Sequence, residues 1–383
     1  MTNKTTIFTF EKLYQAYLNC RKNKRSTINA LEFEWKLERN LFKLQKELEE
    51  RNYKLGRSIC FVITDPSPRE IFAANFRDRV VHHLLINEME DIGERKFIFD
   101  TFSCRKNKGT HLAVKRLKRF IKKVTKNHSQ KAFYAQLDIS GFFMAIDHHI
   151  LYSLFEKLIS KHKKPNWWKE EVLWLAKVII FNKPTKNYIV KGDISLFKFI
   201  PPRKSLFYSG CHCGIPIGNY SSQFSANLYL NELDQFVKRE LKCGYYVRYV
   251  DDFVLLDKNQ NNLKIWKDKI NNFLNESLNL KLNLSKTKIQ TVDKGIDFLG
   301  YFIKPDYVLV RKRIVKRLKE KLYGLNSREN SDLNKTLATI NSYYGHFGHT
   351  NSFNLRKNIY KNHLVGLKKY FLPDNNYALL KIR

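Results

Sequence analysis

Residues 246–257 read YVRYVDDFVLLD, the most informative stretch of the chain. Two β-rich runs, residues 245–249 and 253–256, flank the adjacent carboxylates Asp251 and Asp252. Tyrosine, valine and phenylalanine favour strands and aspartate favours turns, so the pattern predicts a β-hairpin with both aspartates at its turn. Turn chemistry alone would explain the pair. However, the apolar flanks would also hold two like charges beside a buried sheet, which is costly unless a cation neutralises them.

A second β-rich run, residues 133–137, ends on Asp138. If the two strands are neighbours, three carboxylates meet at one point. Oxygen ligands of this kind suit Mg²⁺ beside phosphates, and two such ions about 3.5–4 Å apart can support phosphoryl transfer. The spacing of Asp138 and Asp251 along the chain leaves their convergence open.

The charge indicates an anionic partner. The chain has 70 Lys and Arg against 36 Asp and Glu, a net charge of +34. Residues 101–137 hold eleven basic residues and no acid, and helical spacing of apolar residues predicts basic helices there and over residues 311–325. A solvated face would explain one such helix, whereas two favour contact with a phosphate backbone. The predicted nucleic-acid-binding residues are Arg105, Lys106, Lys115, Arg119, Lys316 and Arg317.

A membrane protein is not favoured. The most apolar region, residues 172–181, is short and contains Lys177, whereas a spanning helix needs about 18 apolar residues. The first ten residues lack the pattern of a secretion signal. The six cysteines follow no disulfide framework, so we expect a cytoplasmic protein. A membrane-surface protein would explain the net charge but none of the motifs that follow.

The motifs resemble those of reverse transcriptases. Residues 249–252, YVDD, resemble the YxDD box, and residues 138–148 resemble the DIxGFFxxIDH box of group II intron-type enzymes. Further blocks occur in the order found in that family, at residues 76–81, 103–114, 214–218, 286–287 and 298–301. A lone YxDD would be weak evidence, but seven ordered blocks reinforce one another.

The resemblance implies an α+β protein with the right-hand polymerase architecture of fingers, a palm with an antiparallel sheet, and a small helical thumb. The implied divisions are residues 1–134 for the N-terminal region and fingers, 135–304 for the palm, and 305–383 for the thumb. Residues 155–213 form an insertion in the palm whose role the sequence does not reveal. The implied activity is RNA-directed DNA polymerisation.

The resemblance also implies a site. Asp138, Asp251 and Asp252 would be catalytic and, with the backbone carbonyl of Ile139, would bind two Mg²⁺ ions, with Mn²⁺ as an alternative. The implied nucleotide-binding residues are Phe143, Pro216, Ile217, Gly218, Gln223, Arg57, Arg69 and Lys286. Phe143 falls at the family's steric gate, which excludes a ribose 2′-hydroxyl, although core packing would also suit it. Lys286 would act as a general acid, although a solvated lysine is the simpler alternative.

One departure from the usual reverse transcriptase motif indicates a subgroup of the family. Most reverse transcriptases carry glutamine where this chain has Ile217, and residues 217–223, IGNYSSQ, resemble the (I/V/L)GxxxSQ signature of diversity-generating retroelements. Loss of the amide removes hydrogen-bonding groups from the nucleotide pocket. The resemblance implies copying of a template-repeat RNA with frequent errors at adenines, which diversifies a target gene.

The implied partners are template RNA and its RNA/DNA duplex, dNTPs, and a small basic oligomeric accessory protein. The implied source is a bacterial or phage genome. A group II intron-like or defence-associated reverse transcriptase acting on another template is the nearest alternative. A non-catalytic RNA-binding scaffold is the alternative from a different class, but a scaffold has no need of three aspartates in metal-binding positions.

Overall fold

The computed structural model describes residues 5–22, 24, 27–65, 67–326 and 332–383. The α-helices in these residues are α1 (Phe10–Arg21), α2 (Ile28–Trp35), α3 (Leu37–Glu49), α4 (Phe76–Lys96), α5 (Thr110–Val124), α6 (Phe142–Ala145), α7 (His148–Ser160), α8 (Asn166–Ile180), α9 (Tyr220–Gln235), α10 (Gln260–Leu278), α11 (Lys312–Asn326), α12 (Leu333–Phe347) and α13 (Phe353–Asn362). The strands are β1 (Ser58–Ile63), β2 (Arg69–Ala73), β3 (Phe133–Asp138), β4 (Tyr188–Val190), β5 (Tyr245–Tyr249), β6 (Asp252–Asp257), β7 (Lys288–Thr291), β8 (Ile296–Phe298), β9 (Tyr301–Ile303), β10 (Val308–Val310), β11 (Phe371–Pro373) and β12 (Leu380–Ile382).

The strands form separate sheets rather than one parallel layer. A four-stranded sheet has the order β5-β6-β3-β7, and two three-stranded sheets have the orders β2-β1-β4 and β10-β9-β8. Strand β1 pairs antiparallel with β2 and parallel with β4, and Ile59 faces Ala73 in the antiparallel register. The helices together contain more residues than the strands, and most of the described strand pairs are antiparallel. The predicted α+β class is therefore confirmed.

The chain divides into two compact units. The first comprises Met1–Asn107, Gln136–Phe253 and Ile265–Thr287. At its centre, most residues of α9 are buried, and polar residues such as Asn227, Asn231 and Asp234 are buried along with the apolar ones. Helix α4 approaches α9 closely because Gly93 has no side chain: a Cβ there would lie 2.6 Å from the Phe224 ring.

The second unit comprises Lys108–Ala135, Val254–Lys264 and Lys288–Arg383. Both predicted basic helices lie in it and are confirmed as α5 and α11. The lysines and arginines of α5 occupy the faces left by its buried apolar residues, which are Ala113, Val114, Leu117, Phe120, Ile121 and Val124. In α11, Leu318 and Leu322 are buried. These compact units do not coincide with the predicted divisions at residues 134 and 304, which remain predictions about functional regions.

Helix α8 contains nearly all of residues 172–181, the most apolar region of the sequence. Its residues Val172, Leu175 and Ala176 are fully buried in the protein. The indole of Trp168 donates a hydrogen bond to Glu88 at 2.7 Å. Across the described ranges of the chain, no helix is both long enough and apolar enough to cross a bilayer.

Candidate active site

Asp138 is the last residue of β3, and the segment around Asn283 holds it in place. The Asn283 backbone N–H donates to the Asp138 backbone carbonyl at 2.7 Å, and the Asn283 amide donates to Oδ1 of Asp138 at 3.0 Å. Lys286 Nζ binds the other carboxylate oxygen at 2.7 Å. Because the Asp138 side chain is only 7% exposed, these contacts fix its orientation.

The second carboxylate stands at a strained turn. Strands β5 and β6 are linked by Val250 and Asp251 alone, which confirms the predicted hairpin. Val250 has a φ of +54°, in the left-handed region that β-branched residues rarely adopt. Burial, together with the negative charge of Asp138, raises the pKa of Asp251 to about 6. A carboxylate that is partly desolvated and lies close to a second negative charge is a site that favours a cation.

A buried ion pair that was not predicted from the sequence supports this turn. Arg248, in β5, is 1% exposed and binds both carboxylate oxygens of Asp234 in α9 at 2.6 and 2.7 Å. Its remaining nitrogen donates to the Val250 carbonyl at 2.9 Å. The Tyr246 hydroxyl donates to the same Asp234 at 2.8 Å. The pair therefore stabilises the backbone conformation that presents Asp251. An arginine within an apolar strand was the available signal, because a buried charge requires a partner.

The predicted nucleotide-pocket residues Phe143 and Ile217 lie in one apolar cluster. Both pack against a buried group formed by Cys60, Phe72, Met144 and Leu206. Two backbone hydrogen bonds fix their positions: Ile215 N–H to the Phe143 carbonyl at 2.9 Å, and Phe72 N–H to the Ile217 carbonyl at 3.0 Å. The cluster thus joins β2, the segment after β3 and the 214–218 block.

The neighbouring predicted residues differ in their surroundings. Gly218 has a φ of +124°, and a Cβ there would lie 2.7 Å from the Ile71 side chain, so only glycine fits this close approach. Pro216 precedes Ile217 in the same segment. Gln223 lies in the first turn of α9 and is exposed, while Ser221 and Ser222 beside it are buried.

The two predicted fingers arginines also differ. Arg69 begins β2, and its positive charge lowers the pKa of Asp251, as does that of Lys286. Arg69 is therefore close enough to act on the carboxylates. Arg57 precedes β1 and is exposed, and no described contact links it to Asp138 or Asp251.

The oxygen donors at this site suit Mg²⁺. Carboxylate oxygens are the ligands this ion prefers, and it is bound through one or two carboxylates plus substrate phosphates. Ile139 and Leu282 face each other in an isolated antiparallel β-bridge. The two hydrogen bonds of this bridge are made by the backbone of Asp138 and Ser140, so they do not use the Ile139 carbonyl. In the described part of the chain, no group of three His, Cys, Asp or Glu is already arranged as a metal cluster. Lys286 instead supplies positive charge to Asp138. The residues fit an ion that arrives with phosphates.

The predicted nucleic-acid-binding residues fall into two groups. The Arg105 guanidinium is 5% exposed, pairs with Glu94 at 2.7 Å and donates to the Ile98 carbonyl, also at 2.7 Å. Because its donors are used inside the protein, Arg105 is a structural residue here and has little surface for a phosphate. Lys106 is 69% exposed and pairs with Glu90. The second group, Lys115 and Arg119 on α5 with Lys316 and Arg317 on α11, lies in the second compact unit.

Comparisons with known proteins show the family of this chain. A family model described as reverse transcriptase (RNA-dependent DNA polymerase) matches residues 64–303, more than half of the chain. The chain belongs to the reverse transcriptase family. Within that family, this reverse transcriptase is 24% identical to protein YkfC of Escherichia coli over 269 residues, which cover 62% of each chain. It is 37% identical to the putative COX1/OXI3 intron 2 protein of Saccharomyces cerevisiae over 67 residues, 17% of this chain and 8% of that protein.

Solved structures with similarity to this reverse transcriptase include two telomerases. Telomerase from Candida albicans, in complex with a fragment of telomeric RNA, has a TM-score of 0.48 at 12% identity and covers 72% of this chain and 51% of that one. Apo telomerase from Candida tropicalis has a TM-score of 0.49 at 13% identity and covers 80% of this chain and 55% of that one.

Proposed function

We propose that this chain is an RNA-directed DNA polymerase that synthesises cDNA with Asp138, Asp251 and Asp252 as its catalytic carboxylates. The observation that carries the proposal is that Asp138 lies close enough to Asp251 to raise its pKa, although the two residues come from distant parts of the sequence. The family match supports the same activity. Because the chain spans 62% of the length of YkfC, the proposal concerns this chain and not the whole of that relative.

Mg²⁺, when bound with the nucleotide, would activate the attacking 3′-hydroxyl and stabilise the leaving pyrophosphate. Asp138 and Asp251 would hold it, with Asp252 and the Ile139 carbonyl as further oxygen ligands. Lys286 Nζ lies 2.7 Å from an Asp138 oxygen and is 56% exposed. From this position Lys286 would donate a proton to the leaving pyrophosphate.

Phe143 supports DNA as the product. Its ring packs on the apolar cluster beside Ile217, and the Ile215–Phe143 hydrogen bond fixes its backbone. A ring held in this way would meet the 2′-hydroxyl of a ribonucleotide and admit a deoxyribonucleotide. The substrates are therefore proposed to be dNTPs, paired to an RNA template and extended as an RNA/DNA duplex.

The proposed template is the template-repeat RNA of a diversity-generating retroelement. The support is the IGNYSSQ segment, in which Ile217 offers an aliphatic side chain where an amide would form hydrogen bonds. Fewer polar contacts in the pocket would relax pairing discrimination, with errors at template adenines. A small basic oligomeric accessory protein is the proposed partner, by the same resemblance alone.

Primer extension tests the activity. On poly(rA)/oligo(dT) with Mg²⁺, we expect dTTP incorporation by the native chain and none by Asp251→Ala. Asp268→Ala is the matched control, because that carboxylate is 69% exposed on α10 and its ion pair is with the adjacent Lys267. Equal incorporation by native chain and Asp251→Ala would reject the proposed site, and no incorporation by either would favour an RNA-binding scaffold.

Sequencing tests the template. cDNA made on the RNA encoded beside the gene, with errors scored by template base, should show errors concentrated at adenines. Errors spread evenly over the four bases would point instead to a group II intron-like or defence-associated enzyme.

A further inference from the structure

A short turn from the palm insertion reaches the active site. This turn, residues 201–206, contains the 3₁₀ segment Pro202–Lys204. Its end is anchored by Glu70, which is 1% exposed in β2 next to Arg69. The Ser205 hydroxyl donates to Glu70 at 2.8 Å, and the Leu206 backbone N–H donates to the other carboxylate oxygen. The 201–206 turn is therefore fixed to the strand that carries Arg69.

A second contact fixes the same turn beside Asp138. Gly141, three residues after Asp138, has a φ of +56°, and a Cβ there would lie 2.5 Å from the Arg203 carbonyl oxygen. Only glycine permits this approach. Leu206 also belongs to the apolar cluster against which Phe143 and Ile217 pack. The turn thus contacts both the carboxylate segment and the predicted nucleoside pocket.

The turn brings two cations into this region. Partial burial lowers the pKa of Lys204, and so do the positive charges of Lys286, Arg69 and Arg203. Asp138 acts on Lys204 in the opposite direction. Among the described residues, Arg69, Arg203 and Lys204 form no ion pair with a carboxylate, whereas Lys286 pairs with Asp138. Several like charges held together without acidic partners repel one another, and a multivalent anion would relieve that repulsion.

We propose that Arg203 and Lys204, together with Arg69, bind the triphosphate of the incoming nucleotide. This inference rests on the proposed polymerase function. The carboxylates of the site would be neutralised by metal ions, so the cations remain to bind phosphate oxygens. The nucleoside end would lie against Phe143 and Ile217, which the same turn contacts through Leu206. Residues 155–213, whose role the sequence leaves open, would therefore contribute to nucleotide binding.

Steady-state kinetics test the inference. In primer extension with saturating poly(rA)/oligo(dT), we expect Arg203→Gln and Lys204→Gln each to raise KM for dTTP by about tenfold, because charge-assisted hydrogen bonds to phosphate are lost. The KM for primer–template should stay unchanged. Lys204→Arg should retain most of the affinity for dTTP, since it keeps the charge. The matched control is Lys198→Gln, an exposed lysine of the same insertion outside the 201–206 turn.

The possible outcomes separate the two proposals. An active native chain with unchanged KM for dTTP in both variants would overturn the inference and leave the polymerase function standing. A raised KM for primer–template with unchanged KM for dTTP would also overturn it and would assign the turn to nucleic-acid phosphates. A native chain that fails to extend any primer would reject the proposed function itself. Thermal melting of each variant identifies any loss of folding.

Discussion

Replacing Asp251 with asparagine should abolish polymerisation and, in the absence of metal, stabilise the fold. Burial and the neighbouring Asp138 raise the pKa of Asp251 from 3.8 to about 6. A carboxyl whose pKa is higher in the folded state binds its proton more tightly there. Ionisation therefore destabilises the folded protein, and this cost is absent well below pH 3.8 and complete above about pH 6. Asparagine has a similar shape and no charge, so it avoids the cost.

The size of the pKa shift of Asp251 gives the expected gain in stability. A rise from 3.8 to about 6 corresponds to about 3 kcal/mol at neutral pH, at 1.36 kcal/mol per pKa unit. With an unfolding entropy of about 2.1 cal/mol/K per residue, a chain of 383 residues gains about 4 °C in Tm. Bound Mg²⁺ compensates the charge of the native protein only, so its addition should shrink the difference between the two proteins.

Thermal melting is the assay, with native chain and Asp251→Asn compared at about pH 8 and about pH 4, with EDTA and with Mg²⁺. Asp251→Asn should melt higher at the higher pH with EDTA, and the two proteins should converge at the lower pH. Asp268→Asn is the matched control and should change Tm little, because its carboxylate is 69% exposed. A variant less stable than the native chain at the higher pH without metal would refute the argument that Asp251 is an uncompensated buried charge.

Three further substitutions test the surroundings of the site. Arg248→Met removes the ionic partner of Asp234 and the hydrogen bond to the Val250 carbonyl. Unfolding by urea should therefore show that the free energy of unfolding falls by about 3–5 kcal/mol. A fall no larger than that of the exposed control Lys198→Met would contradict the role of the ion pair. Phe143→Ala should raise kcat/KM for ribonucleotides relative to deoxyribonucleotides by at least about tenfold, whereas an unchanged ratio would assign the ring to core packing. Ile217→Gln should lower misincorporation opposite template adenine while Ile217→Met, which keeps the residue apolar, should not; unchanged errors in both would exclude Ile217 as the cause.

The sequence by itself determined the local elements. Alternating apolar residues around Asp251 and Asp252 predicted the hairpin, and the apolar stripes predicted α5 and α11, because such periodicities depend only on residues close together in the chain. Apolar residues at helical spacing also predict a helix over residues 221–241, and α9 is that helix, although it ends at Gln235 and the π-helical segment Phe236–Glu240 follows it. The ordered motifs predicted the family to which the chain belongs.

Tertiary structure decided which charges act on the site and which are structural. Arg105 lies in a basic stretch and Arg248 in an apolar strand, and no pattern in the sequence reveals that their partners are Glu94 and Asp234. Likewise, Arg203 and Lys204 read as ordinary basic residues of an unassigned insertion. Their position beside Asp138 depends on a buried Glu70 and on Gly141, which are far from them in the sequence. Contacts between distant segments form only when the chain packs, so the motifs of the sequence pointed to the carboxylates, Lys286 and Arg69 but not to Arg203 and Lys204.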